Sequence, residues 1–175
     1  MLFVGSMGSG KTLSMVKMAY EYHKQGYKIL SNMKLNFPHR YITSKDVQEF
    51  ASNQEQLYNT VVLLDEIHIF MDSRRSGSKK NLLTSYFLTQ TRKQKVKLLA
   101  TTQHRHQVDR RLRDNTEAFI DCETKDIPFG DNEKVLIVVN HFNTRQSYEK
   151  MVFIGNKYFH LYDTEEIIFD KSSEE

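Results

Sequence analysis

Residues 5–12 read Gly5-Ser6-Met7-Gly8-Ser9-Gly10-Lys11-Thr12, and this stretch decides the fold. It has the form G-x-x-x-x-G-K-T. Holding phosphates with backbone N–H groups demands a tight turn free of Cβ obstruction, which the three glycines supply. An amphipathic helix follows, with Leu13, Val16, Ala19, Tyr20 and His23 at helical spacing and Gly26 as the stop signal. Its first turn presents free donors and a positive dipole end to an anion. Lys11 is placed to reach the β- and γ-phosphates, and the Thr12 hydroxyl to ligate Mg²⁺. The expected nucleotide-contacting set is Gly5, Ser6, Met7, Gly8, Ser9, Gly10, Lys11, Thr12 and Leu13, with ATP and Mg²⁺ as cofactors. A chance glycine turn is the plain alternative. Only Leu2-Phe3-Val4 precede the loop as a strand, which is expected to suffice for a domain with nothing in front of it.

A phosphate loop does not say how the nucleotide is used. Val61-Val62-Leu63-Leu64-Asp65-Glu66 bears on that. The continuous apolar run Thr60–Leu64 is the pattern of a strand buried on both faces of a parallel sheet. Asp65 at its end is expected to hold Mg²⁺, and Glu66 to polarise an attacking water, which implies hydrolysis. Asp65-Glu66-Ile67-His68 also spells the D-E-x-H of one helicase class, but that class needs two tandem domains, which 175 residues cannot supply. His68 is read as structural. A third strand, Val96–Thr101, delivers Gln103 to the end of the sheet where ligands bind in open α/β folds. Gln103 is a candidate γ-phosphate sensor; an ordinary loop glutamine is the alternative. Developing charge on a transferred phosphoryl group calls for a guanidinium, often from another subunit. Arg92, Arg110, Arg111 and Arg113 are the candidates. His104 and His106 lack partners at metal-ligand spacing.

Composition bounds the rest. Hydrophobic residues make up 39% and charged residues 27%, values of an ordinary globular domain rather than a disordered chain. No apolar run approaches the ~18 residues of a membrane span. The chain start has no secretory signal pattern, and one cysteine, Cys122, excludes an internal disulfide. A cytoplasmic location follows as the expectation. The net charge of +3 hides an asymmetry. Residues 1–73 hold seven basic and seven acidic residues, residues 74–113 twelve basic and one acidic, and residues 114–175 six basic and fourteen acidic. A solvated helix face mixes signs, so the basic segment points to a polyanion. Arg74, Arg75, Lys79, Lys80 and Arg105 are the candidate DNA contacts. An acidic neighbouring subunit is the other partner that such a segment would suit.

Further expected elements are a strand at Tyr27–Leu30, irregular chain over 31–43, a helix from Lys45 to about Asn53, a basic loop Arg74–Lys80, and a helix from there to about Arg92. Beyond these come a short helix Val108–Arg113, a strand Ala118–Asp121, a turn over 128–132, and a hairpin of Lys134–His141 with Lys150–Ile154. Alternating strands and helices argue for one domain spanning 1–175. Its fold class is α/β: a three-layer sandwich with a mainly parallel central sheet and a C-terminal antiparallel hairpin extension.

Arg92, the run Ala100-Thr101-Thr102-Gln103 and Asn115 together resemble the FtsK–HerA superfamily of DNA-pumping ATPases, with one extra threonine. Leu161-Tyr162-Asp163-Thr164 with Glu165-Glu166 is similar to the tail of its zonular-occludens-toxin-like and viral packaging branch. The resemblance runs from Phe3 to about Ile167. It implies a RecA-like, ASCE-type core with Glu66 as catalytic base, Gln103 as sensor and Arg92 as the trans-acting finger. It further implies a homo-oligomeric ring, a pentamer or hexamer, driving double-stranded DNA, with a capsid vertex protein as partner if the chain packages a viral genome. Relative to larger members, neither an N-terminal domain nor the membrane helix of many toxin-like relatives is expected. Three other readings remain: a filamentous-phage-type virion assembly ATPase, a small-molecule or nucleotide kinase, and a nucleotide-gated adaptor without hydrolysis.

Overall fold

The structure, a computed structural model, describes residues 1–53, 57–68, 85–87, 89, 96–129 and 133–163. Strand β1 (Leu2–Val4) runs into the glycine loop and helix α1 (Lys11–Lys24). Then come β2 (Lys28–Ser31), β3 (Arg40–Tyr41), helix α2 (Ser44–Ser52) and β4 (Thr60–Leu64). After β5 (Lys97–Thr102) a 3₁₀ turn (Arg105–Gln107) leads to the short helix α3 (Arg110–Asp114). Strands β6 (Ala118–Phe129), β7 (Glu133–Thr144) and β8 (Tyr148–Ile154) precede a 3₁₀ segment, Gly155–Leu161. Residues 85–87 and 89 are helical, inside the expected 81–92 helix. The described strands form one sheet in the order β3-β2-β4-β5-β1-β6-β7-β8. Pairing is parallel from β3 through β6, then antiparallel across β6, β7 and β8.

The sheet separates two cores, as the alternation of side chains along β1 requires. Phe3 faces α1 and packs with Met15, Val16, Ala19, Ile29, Leu63 and Leu99. Leu2 and Val4 face the other way, toward Val47, Phe50, Phe87, Val108 and Leu112. Met15, Val16 and Ala19 are fully buried, and each large side chain among them contributes about 1.5–3 kcal/mol. This is the expected three-layer α/β sandwich.

Three expectations need correction. The segment 31–43 is not wholly irregular, because Ile42 N donates to Ser31 O at 2.8 Å and β3 lies parallel to β2. Helix α2 begins one residue early because Thr43 caps it. Asp46 N donates to Thr43 Oγ1 at 3.2 Å and Thr43 N to Asp46 Oδ2 at 2.7 Å, a reciprocal capping box. The third correction is larger. The strand expected to stop at Asp121 continues to Phe129, so the expected hairpin, β7 with β8, is joined by β6 in a three-stranded meander. The charged run after Cys122 reads as a strand end, but one face of an antiparallel ribbon can be wet. Gly155 lets the following 3₁₀ segment settle onto α1 and β7, for a Cβ there would sit 3.0 Å from Leu13 and Leu136.

Burial pushes the Asp46 carboxyl up, but the Thr43 hydroxyl and amide and nearby Arg40 outweigh it and hold it below its ordinary value. A depressed carboxyl contributes stability above its unfolded pKa and loses it as pH falls through the folded one. Thr43→Ala is therefore expected to cost about 1 kcal/mol near neutral pH. Urea unfolding should show that deficit shrinking as the pH is lowered below the ordinary carboxylate range.

Candidate nucleotide site

The order of the sheet assembles the site. Strand β5 lies between β1, which carries the glycine loop, and β4, which carries Asp65-Glu66. Whatever follows β5 therefore emerges between the loop and the acids. Gln103, the first residue after β5, is half-buried at that position.

The loop is built on β6. Gly5 has φ +155, and a Cβ there would lie 2.8 Å from the carbonyl of Cys122. Gly10 caps α1 with φ +80, where a Cβ would press on Thr124 and Val138 at 3.0 and 3.2 Å. Any side chain at Gly10 meets both left-handed strain and that wall. Thr124 Oγ1 ties the loop from the same side by donating to Gly8 O at 2.9 Å. No side chain caps the N-terminus of α1 and no acid lies in its first turn, which leaves its donors for an anion. Lys11 is buried to 7% exposure, with its Nζ donating to Ser6 O at 2.9 Å. A phosphate oxygen would take that carbonyl's place. Ser9 Oγ is buried without a hydrogen-bond partner, Leu13 is core, and Met7 stands exposed at the loop tip.

Asp65 is the hub. Its Oδ1 accepts from Thr12 Oγ1 at 2.9 Å and from Thr101 Oγ1 at 2.7 Å. Asn32 clasps its backbone, accepting from Asp65 N at 2.8 Å and donating to Asp65 O at 2.9 Å. Burial drives the Asp65 carboxyl above its ordinary value, against the two hydroxyl hydrogen bonds and Lys11. Tyr162 belongs to this environment. Burial, and secondarily the Asp65 charge, push its hydroxyl up to about 12. The segment carrying Tyr162 is pinned by Asn36 N to Leu161 O at 2.7 Å and Asn36 Nδ2 to His160 O at 2.7 Å.

The hydroxyl of Thr12 and the carboxylate of Asp65 are adjacent hard-oxygen donors, the set that Mg²⁺ takes from a P-loop protein while keeping waters and phosphate oxygens. Among the described residues no cluster of His, Cys, Asp and Glu forms an all-protein cage, and such a cage is not how Mg²⁺ is held.

Glu66 has φ +50, a left-handed conformation uncommon for a non-glycine residue. Its N–H donates to Thr101 Oγ1 at 2.8 Å. Its Oε2 approaches His68 Nδ1 to 3.2 Å without hydrogen-bond alignment, and neither atom has another such partner among the described residues. Positive φ at the end of a strand marks strain held in place by its surroundings.

The structure does not bring every candidate to this centre. Arg105 donates through Nη2 to both carboxylate oxygens of Asp121 at 2.8 and 2.6 Å and lies over the Phe119 ring at 4.6 Å, and Asn143 holds the same carboxylate at 2.7 Å. Arg110 is largely exposed, near Asp114 at 3.4 Å, and Arg111 lies 3.6 Å from Asp109. Arg113 Nε is buried without a hydrogen-bond partner. Asn115 donates to Arg111 O and lines a hollow with Met1, Leu98 and Glu117, at the opposite end of β1 and β5 from Gln103. Arg74, Arg75, Lys79, Lys80 and Arg92 lie outside the described residues. Cys122 is buried beneath the loop, and burial pushes its thiol up to about 12, so it is inert. Among the described residues no helix is long and apolar enough to cross a membrane.

Asn32 carries no signal in the sequence, while Thr101 and Tyr162 stand there only as members of the resemblance motifs, without a role at Asp65. The extra threonine in Ala100-Thr101-Thr102-Gln103 was the visible trace of one of them. A residue inside an apolar strand that is polar on a buried face needs a partner.

The profile of the ATPase family associated with various cellular activities matches residues 1–124. A search of curated proteins finds no match. Among solved structures, the chain is similar to the N-terminal domain of zonular occludens toxin from Neisseria meningitidis. The TM-score is 0.65 at 22% identity, covering 93% of this chain and 97% of that one. It is also similar to the flagellar accessory protein FlaH from Methanocaldococcus jannaschii, with TM-score 0.53, 14% identity and coverage of 87% and 83%. At these identities the likeness is one of fold, and it agrees with a RecA-like P-loop architecture.

An ionised Asp65 in this burial costs stability, so Asp65→Asn should raise the melting temperature of the nucleotide-free protein by roughly 2–4 °C, the effect of about 1 kcal/mol in a domain of this size. The amide oxygen can still accept from Thr12 and Thr101. ATP with Mg²⁺ is expected to raise the melting temperature of the wild type and not that of this variant, which thermal scans with and without both would show.

Proposed function

The chain belongs to the ATPase family associated with various cellular activities, and from that premise we propose that it is an ATP-driven motor that translocates double-stranded DNA, in the setting of viral genome packaging. The observation that carries the hydrolytic part is the meeting of Thr12, Asp65 and Thr101 at one buried oxygen, with Glu66 anchored beside it. In this reading Lys11 and the loop amides hold the phosphates. Thr12 and Asp65 hold Mg²⁺, which supplies charge neutralisation at the phosphates when bound. Glu66 orients and deprotonates the water, and Gln103 contacts the γ-phosphate or that water from its place between loop and acids.

A nucleotide kinase has no need for a carboxylate that activates water, the role this reading gives Glu66, and an adaptor without hydrolysis has no need for the Asp65–Glu66 pair. A ring arrangement is common in this family. It would let an arginine of one subunit complete the site of the next, with Arg92 as first candidate and the exposed Arg110 available on α3. The support for DNA is the charge of residues 74–113, twelve basic against one acidic. Contacts of that kind follow the phosphate backbone and read no bases. The Asp121 carboxylate leaves Arg105 with less charge to offer than the other basic residues of that segment. A capsid vertex protein is the partner that the packaging reading implies.

A second reading is a virion assembly ATPase of filamentous-phage type. The observation favouring it is the near-complete mutual coverage with the zonular occludens toxin domain.

Steady-state ATP hydrolysis with and without double-stranded DNA separates the two. We expect DNA to stimulate the wild type at low salt, with stimulation falling steeply as salt rises. We expect Glu66→Gln to lose about 10²–10⁴-fold in turnover while still binding nucleotide. Mixing Arg92→Ala with Glu66→Gln should restore partial activity if Arg92 acts in trans. Hydrolysis indifferent to DNA at every salt concentration would reject translocation in favour of assembly.

A further inference from the structure

We infer that Thr101 is a positioning residue that couples the state of Asp65 to the placement of Glu66. The inference rests on the hydrolytic reading above and adds a residue to it. Thr101 lies in β5, fully buried, in a position where its hydroxyl cannot be satisfied by solvent. That hydroxyl spends its proton on Asp65 Oδ1 at 2.7 Å and accepts the Glu66 N–H at 2.8 Å. One oxygen atom thus touches both acids, the first by side chain and the second by backbone.

The geometry makes this more than packing. Glu66 holds φ +50, a conformation that costs free energy unless its surroundings impose it. On one side of it, Asn32 fixes both backbone groups of Asp65. On the other, the Thr101 hydroxyl fixes the Glu66 amide. Asp65 Oδ1 also receives the Thr12 hydroxyl, at 2.9 Å. Thr12 and Asp65 would hold a nucleotide-bound cation, and were the Thr12 hydroxyl drawn to it, Thr101 would be the remaining hydroxyl on Oδ1. Any shift of the carboxylate is then passed through the Thr101 oxygen to the Glu66 backbone. The γ-methyl and branched Cβ of threonine restrict that hydroxyl to few rotamers, which makes the linkage stiff. Gln103 lies two residues further along the same strand direction, so the strand that would sense the γ-phosphate also carries the link to the base.

The test compares Thr101→Val, Thr101→Ala and Thr101→Ser with the wild type. In the nucleotide-free protein, hydrogen exchange at the Glu66 amide should accelerate at least about tenfold in either hydroxyl-free variant, a loss of roughly one hydrogen bond's worth of protection. Exchange at Leu63, in the adjoining strand, should stay slow and report that the fold is intact. In ATP hydrolysis without DNA, kcat should fall about 10²-fold, the effect of misplacing a catalytic group by roughly an ångström, with KM within about twofold. Thr101→Ser should restore both the protection and most of kcat. The inference is overturned if the Glu66 amide stays protected in Thr101→Val and Thr101→Ala, or if those variants keep the wild-type kcat. It is also overturned if KM and exchange at Leu63 change as much as kcat, which is the pattern of a merely structural residue. A wild type that hydrolyses no ATP would refute the proposed function, while the Glu66 exchange would still decide whether Thr101 fixes that residue.

Discussion

A single buried carboxylate oxygen, Asp65 Oδ1, ties this structure together. It receives a hydroxyl from the start of α1 and another from β5, while its own residue directly follows β4 and is clasped by Asn32, directly after β2. Four elements that are distant in sequence therefore converge on one residue. A carboxylate so buried is costly to keep charged, as the upward push on its pKa shows. The arrangement stores that cost at the place where a cation would relieve it. On the proposed function, stability and activity would oppose one another at Asp65, and at the left-handed Glu66 beside it.

The sheet order is what makes this convergence possible. With β5 placed between β1 and β4, the phosphate loop and the acidic pair are held one strand apart, and the end of β5 fills the gap. The meander then does a second job. Its first strand lies parallel to β1, and from there the Cys122 carbonyl and the Thr124 side chain shape the glycine loop. Asn140 of β7 reaches the Ser14 hydroxyl in α1 at 2.9 Å. The extension is thus part of the support for the nucleotide site, in addition to being the edge of the sheet.

The legible part of the fold was the part dictated by local physics. The turn from Gly5 to Thr12, between β1 and α1, could be read because three glycines at that spacing after an apolar strand and before an amphipathic helix leave few other backbone paths. The strand ahead of Asp65 and Glu66 could be read because a continuous apolar run is the pattern of a strand buried on both faces. Asn32 and Thr101 could not, since an asparagine after a strand or a threonine within one has many roles. Theirs are set by which strands become neighbours, a matter of tertiary pairing. The continuation of β6 past Cys122 was hidden for a related reason. Glu123, Lys125 and Asp126 look like a loop until an antiparallel partner is known to satisfy their backbone. Asn115 was singled out by resemblance, and the fold sets it at the far end of the sheet from Gln103.

The most direct test of the account is a structure with Mg²⁺, ADP and aluminium fluoride, which mimics the transferring phosphoryl group. The nucleotide phosphates are expected against the amides of Gly8–Thr12, with Mg²⁺ held by Thr12 and Asp65. The Glu66 carboxylate is expected within hydrogen-bond distance of the water facing the fluoride, with the Thr101 hydroxyl still joining the two acids. Nucleotide bound elsewhere, or a Glu66 carboxylate turned away from that water with Thr101 detached, would contradict it.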